Sequence, residues 1–238
     1  PMEPRRSAQV IARARSKKTR FRLTENDRVR MWGLYEKALE RQDQALGALV
    51  EAIRKAKARG LPVTCDTAPH YFALNETAVG DYRTFAKMSP PLRREEDRKA
   101  IAAAVADGTI DCIASDHAPH DQDSKRVPFA QAAFGVIGLE TLLPISLELY
   151  HKREIGLLGL LKRMTSAPAD LLGLPQGRLA VGAPADLVLF DIDRAWTIDS
   201  ERFRSKSKNS AFDKRPTRGM VLRTIVDGRT VFDATPAQ

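Results

Sequence analysis

The sequence predicts an α/β protein built on a parallel sheet, followed by a smaller unit made of strands. Three observations carry this. An apolar-striped helix over residues 45–58 stops at Gly60 and leads into the short apolar run 61–65. The same order returns with a helix over 94–107, a stop at Gly108 and an apolar run over 110–115. A helix, a glycine turn and a buried strand, used twice, form the half-unit of a βαβ crossover and imply parallel pairing. Beyond residue 180 the pattern changes to strand-like runs closed by Asp227-Gly228, a strong two-residue hairpin signal.

Taken in order, residues 1–30 hold ten Lys or Arg against Glu3, Glu25 and Asp27, so most of the net charge of +9 lies there. The basic arm carries no zinc-finger, helix-turn-helix or RNA-binding signature, and nucleic-acid binding is not expected of it. Residues 26–41 have a loose helical spacing in Val29, Leu34, Ala38 and Leu39. The helix over 45–58 is better defined, because Leu46, Leu49, Val50, Ile53 and Ala56 make one stripe and Gly60 ends it. The run 61–65 reads as a buried strand, with His70 just past its end. Residues 85–89 read as a further short strand closed by Pro90-Pro91.

The helix over 94–107 points Ile101, Ala104 and Val105 inward, and the strand over 110–115 delivers Asp116, His117 and His120 into a loop stiffened by Pro119. These units place His70, Ser89 and Asp116 on one rim, where enzymes built on parallel strands carry their catalytic groups. For His70 alone a structural role and a ligand role are both open. Helices are expected over 137–150, 156–164 and 167–172. Strands are expected over 185–190, 196–198, 221–226 and 229–232.

Composition fits an ordinary soluble chain: 43% hydrophobic and 29% charged residues, enough for a sizeable core. Cys65 and Cys112 both lie in apolar runs, which suits buried thiols in a reducing compartment. No run approaches the length of a membrane span, and a cytoplasmic location is expected.

Several strings together resemble one family. Pro69-His70-Tyr71, Lys87-Met88-Ser89-Pro90-Pro91-Leu92-Arg93, Ser115-Asp116-His117-Ala118-Pro119-His120 and Gly138-Leu139-Glu140-Thr141 look like dihydroorotase. Gly182-Ala183-Pro184-Ala185-Asp186-Leu187 is similar to a string shared more widely among cyclic amidohydrolases. The resemblance implies a partial (β/α)8 metal-dependent-hydrolase barrel, about its last three strand–helix units, with a small C-terminal β unit. On that basis residues 1–45 are a basic, divergent segment, 46–175 the partial barrel and 176–238 the β unit.

The implied reaction is the reversible conversion of N-carbamoyl-aspartate to dihydroorotate in de novo pyrimidine synthesis, with Zn2+ as cofactor. The resemblance makes His70 and Asp116 metal ligands and Asp116 also the catalytic proton carrier. It makes Ser89, His120, Phe134 and Gly135 substrate-binding, with Ser89 standing where many relatives carry asparagine. Lys87 and Arg93 are open to substrate attraction or to ion pairing, and His117 is expected to be structural. The family's His-x-His metal motif is missing from the chain. Three readings follow: a dihydroorotase whose activity in this chain alone is open, a non-catalytic dihydroorotase-like subunit scaffolding aspartate transcarbamoylase, or a hydantoinase or allantoinase relative. A homo-oligomer is a further expected partner, and a membrane is not.

Overall fold

The computed structural model describes residues 46–234. The helix expected over 26–41, and with it the basic segment 1–45, lies outside the described residues. Helix α1 (Leu46–Ala58) ends as the sequence dictates, with Gly60 at φ +73° and its N–H on Lys57 O. The chain then runs extended into β1 (Asp66–Thr67) and the short helix α2 (Pro69–Ala73), which opens on Pro69. Helix α3 (Glu95–Asp107) crosses over to β2 (Cys112–Ile113), and Gly108 closes it in the left-handed region.

Strands β1 and β2 pair in parallel, Asp66 opposite Cys112 and Thr67 opposite Ile113. Bonds from Asp111 N to Cys65 O and from Ala114 N to Thr67 O extend the ladder by one step at each end. This is a βαβ unit, with α1 and α3 packed side by side and α2 resting on α3. Lys57 anchors the entry to it, reaching both oxygens of Asp111 at 2.6–2.7 Å, while Asp111 also accepts from Cys65 N. A parallel bridge between His117 and Val136 continues the sequence of parallel contacts beyond β2.

The paired strands are shorter than the apolar runs predict. Residues 61–64 join no strand, because only Asp66 and Thr67, with Cys65 O at the margin, meet β2 in register and the far edge of β1 has no partner among the described residues. The run 110–115 contracts to Cys112–Ile113 for the same reason. Residues 85–89 form no strand. A 3-10 turn (Thr84–Ala86) occupies their start, and Lys87 O accepts from Gly135 N instead of from a neighbouring strand. Helix α4 (Gln122–Lys125) is a single turn capped by the Asp121 carboxylate on Ser124 N.

The expected helix over 137–150 starts late, as α5 (Leu142–His151), because Gly138 and Thr141 are used in a turn with Thr141 Oγ1 on Gly138 O. Helices α6 (Leu157–Met164) and α7 (Ser166–Leu172) follow close to expectation.

The tail is a three-stranded antiparallel sheet in the order β3–β4–β5. The two strands expected over 185–190 and 196–198 are one strand, β3 (Leu187–Thr197), interrupted by a bulge between Asp191 and Ala195. There the Asp191 carboxylate accepts from Asp193 N and Arg194 N. Strands β4 (Pro216–Val226) and β5 (Arg229–Asp233) meet at Asp227-Gly228, both at positive φ (50° and 73°), the geometry of a type I′ turn.

Helix α5 joins the two parts of the chain. Its Ile145, Leu147 and Leu149 share a core with Val105, Leu160 and Ile198, and β4 lies against it. Gly219, at φ +96°, allows this approach, since a Cβ there would overlap Leu147 Cδ1. Arg215 spans the same junction with two bonds to Glu148. We expect Gly219→Ala to lower stability by about 1–3 kcal/mol, from overpacking plus the positive φ, as read by urea unfolding.

Candidate active site

The register of β1 on β2 brings the two segments beyond them to the same end of the sheet. His70 lies three residues past Thr67 and Asp116 three past Ile113, and those strand residues are opposite one another. As a result His70 Nε2 stands 3.5 Å from Asp116 Oδ2. His70 is only 2% exposed, and its Nε2 has no hydrogen-bond partner. Burial pushes its pKa down to about 4, so the imidazole is neutral near pH 7 and has a free lone pair or N–H aimed toward the carboxylate. Its ring packs on Tyr71, centroids 4.2 Å apart, and the Tyr71 hydroxyl donates to Pro90 O.

Asp116 is held differently. Its backbone sits at φ 46°, an uncommon conformation for a residue with a side chain. The preceding Ser115 O lies so close to Gly138 that a Cβ at 138 would overlap it. That accounts for the glycine that opens the Gly138–Thr141 string. Partial burial, and then the neighbouring carboxylate of Asp66, raise the Asp116 pKa, which favours a group able to hold and release a proton.

Ser89 and Asp116 both line a cavity of about 190 Å³, together with Asp66, Tyr71, Pro90 and Arg93. Its remaining wall is apolar, from Leu49, Val50 and Ile53 of α1 and from Ile101 and Ile110.

His120, Phe134 and Gly135 form a second group, linked to the Lys87–Arg93 segment by Gly135 N on Lys87 O. His120 Nε2 is 2.6 Å from Phe134 O, and Phe134 is more than half exposed. Gly135 is at φ +96°, and a Cβ there would come within 2.6 Å of Ala118. Both backbone groups of Gly135 are engaged, the N–H on Lys87 O and the carbonyl by Lys125 and Asn209. The structure therefore brings Asp116 and Ser89 onto one cavity, sets His70 beside Asp116 but not on the cavity wall, and gathers His120, Phe134 and Gly135 into one loop cluster.

His117 Nδ1 accepts from Gly138 N, an anchoring role. Lys87 points away from an ion pair, into the carbonyls of Phe129, Ala130 and Ala132. Arg93 lies 3.7 Å from Asp97. Asn209 was not singled out from sequence, yet it is buried and ties three segments together: Oδ1 takes His120 N, Nδ2 reaches Ala118 O and Gly135 O, and its own carbonyl takes Ile137 N. Nothing local marks it, because its side-chain partners are 74 to 91 residues away in sequence.

His70 and Asp116 have the donor types of a zinc site, and the unpartnered His70 nitrogen is what a ligand imidazole needs. No group of three or more such side chains occurs among the described residues. Two donors are too few for a tight zinc site on their own.

The linkage for His70 has a definite sign. A histidine near 6.5 unfolded and near 4 folded binds its proton more readily unfolded, so stability is full above pH 6.5 and is lost as pH falls toward 4. For the metal-free protein we expect a loss of about 3 kcal/mol across that window. The check is the difference in urea midpoint between the native chain and His70→Gln, which separates this group from the carboxylates.

Residues 24–231 match the family described as the amidohydrolase family. The chain is 54% identical over 185 residues to a dihydroorotase of Anaplasma phagocytophilum, covering 78% of this chain and 41% of that protein. It is 52% identical over 182 residues to a dihydroorotase of Geotalea daltonii, covering 76% and 43%. Among solved structures it superposes on L-hydantoinase from Arthrobacter aurescens with a TM-score of 0.73 and 32% identity, covering 79% of this chain and 43% of that one. Dihydropyrimidinase from Brevibacillus agri gives a TM-score of 0.72 at 27% identity. The chain thus spans less than half the length of the relatives it matches, and its α/β body has the fold of part of such a barrel.

Proposed function

The chain belongs to the amidohydrolase family, and from that premise we propose that it carries part of a dihydroorotase-type active site, for the reversible closure of N-carbamoyl-aspartate to dihydroorotate in pyrimidine synthesis. The observation that supports the reading most is the buried, unpartnered His70 Nε2 3.5 Å from a carboxylate on the neighbouring strand. The 54% identity to a dihydroorotase, against 32% to the L-hydantoinase above, favours this substrate over a hydantoin.

Opening a cyclic amide requires a polarised carbonyl, a deprotonated water and a proton for the departing nitrogen. A zinc ion held by His70 and Asp116, with donors supplied from outside the described residues, would polarise the carbonyl as a Lewis acid. The chain's own residues do the rest. Asp116, half-exposed and with its proton affinity raised by partial desolvation and the Asp66 carboxylate, takes a proton from water and returns it to the ring nitrogen. His70 stays neutral and keeps its lone pair available. Ser89, on the same cavity, offers one hydroxyl to the ring. His120 and the Phe134–Gly135 loop contact the ring from the other side, which requires His120 to exchange its bond to Phe134 O for one to substrate.

The scaffold reading has one observation in its favour, that only two donors come together among the described residues. Elemental analysis and dihydroorotate turnover on the purified chain decide between them. Stoichiometric zinc with turnover supports the enzyme; no metal and no turnover, with co-purification of aspartate transcarbamoylase, supports the scaffold. Hydrolysis of hydantoin with no action on dihydroorotate would replace the substrate assigned above.

Two variants test the roles. Asp116→Asn cannot carry the proton and is expected to lower turnover by at least about a hundredfold, while an unchanged rate removes the assignment. His70→Ala is expected to lower zinc content at fixed free zinc. Equal content in the native chain and the variant would show that the imidazole is not a donor.

A further inference from the structure

The loop over residues 128–136 is held from below by two ammonium groups. Lys87 Nζ donates to Phe129 O, Ala130 O and Ala132 O at 2.6, 3.1 and 2.8 Å. Lys125 Nζ donates to Ala133 O and Gly135 O at 2.8 and 3.0 Å. Lys125 is fully buried and Lys87 is 8% exposed. Among the described residues neither meets a carboxylate; backbone dipoles alone take the place of counter-ions. The Lys87 ammonium also lies 4.4 Å from the centre of the Phe134 ring.

This is an expensive way to hold a loop. Desolvating an ammonium costs several kcal/mol unless charge is returned to it, and two of them here also repel one another. Burial, with a further contribution from Lys87, lowers the Lys125 pKa to about 8, which still leaves most of its charge in place near pH 7. A glutamine amide has two N–H donors, enough for the two carbonyls on Lys125 but one short of the three on Lys87, and it carries no charge. What it could not supply is positive charge behind the face that carries Phe134 and, against it, His120.

We infer that Lys87 and Lys125 are positioning and specificity-determining residues: they fix the loop that carries Phe134 and Gly135, and their charge, met by carbonyl dipoles and by no carboxylate, favours a ring bearing a carboxylate over a neutral ring of the same shape. The inference rests on the cyclic-amide reading above. The loop is tied to the segment that carries Ser89 through Gly135 N on Lys87 O, two residues before Ser89, and the buried ammonium groups are screened weakly by water.

Calorimetric binding of dihydroorotate and of dihydrouracil, which lacks the carboxylate, tests it on the full chain. The native protein is expected to favour dihydroorotate by about tenfold or more. Lys→Met at 87 or 125 removes both donor and charge, whereas Lys→Gln keeps a donor for the carbonyls and removes only the charge. Lys125→Gln is expected to retain amide hydrogen-exchange protection over 129–136 and yet bring the affinity ratio to within about twofold of unity. Lys→Arg, which keeps the charge, is expected to restore the preference. A ratio unchanged in the Gln variants would overturn the specificity role and leave the lysines as packing. A native chain that binds both rings equally would overturn this inference alone. One that binds neither would remove the cyclic-amide reading and this inference with it.

Discussion

The register of two short parallel strands governs everything that this molecule brings together. Only Asp66–Cys112 and Thr67–Ile113 are opposed, yet that is enough to set two downstream segments in step. Sliding one strand by a single residue would reverse which side chains face the cavity, because alternate residues point to opposite faces. The supports of this register are largely electrostatic and lie at its lower end, in Lys57 on Asp111 and Asp111 on Cys65 N. Apolar packing of α3 against α1 and α2 then keeps the crossover in place.

Above the strands a different principle takes over. The loops that carry His120, Phe134 and Gly135 bury Ala132 and Val136 but leave Phe134 exposed, and they are tied down by polar side chains reaching backbone carbonyls over long sequence separations. Asn209 and Lys87 bond to residues between 42 and 91 positions away, and Lys125 reaches across its own loop. Such networks are stringent, since each member left without its partner leaves a desolvated polar group behind.

This division also explains what could be read in advance. The helices at 46–58, 95–107 and 157–164 and the Asp227-Gly228 hairpin were legible because stripes, glycine stops and turn chemistry are local. The nearness of His70 and Asp116 was legible because two equivalent strand–loop junctions imply it. Strand extent was not, since pairing length depends on a neighbour and not on the apolar run itself; residues 61–65 and 85–89 are the examples. The Asn209 hub and the carbonyl-directed lysines were hidden for a related reason. Lysine in a string reads as a surface charge or an ion-pair partner, and only the three-dimensional arrangement shows which oxygens surround it.

The bulge in β3 bears on how the molecule behaves when concentrated. Among the described residues β3 is an outer strand of its sheet, eleven residues long, with Val188 and Leu189 open to solvent. A regular strand of that kind would invite stacking of further chains in fibre-like fashion. At Asp191 the ladder is broken and two acidic side chains crowd the break. Any added strand would lose its alignment after about five residues, too short a run to propagate. The kink acts as a gatekeeper against self-templated growth, at no cost to the hairpin on the sheet's far side.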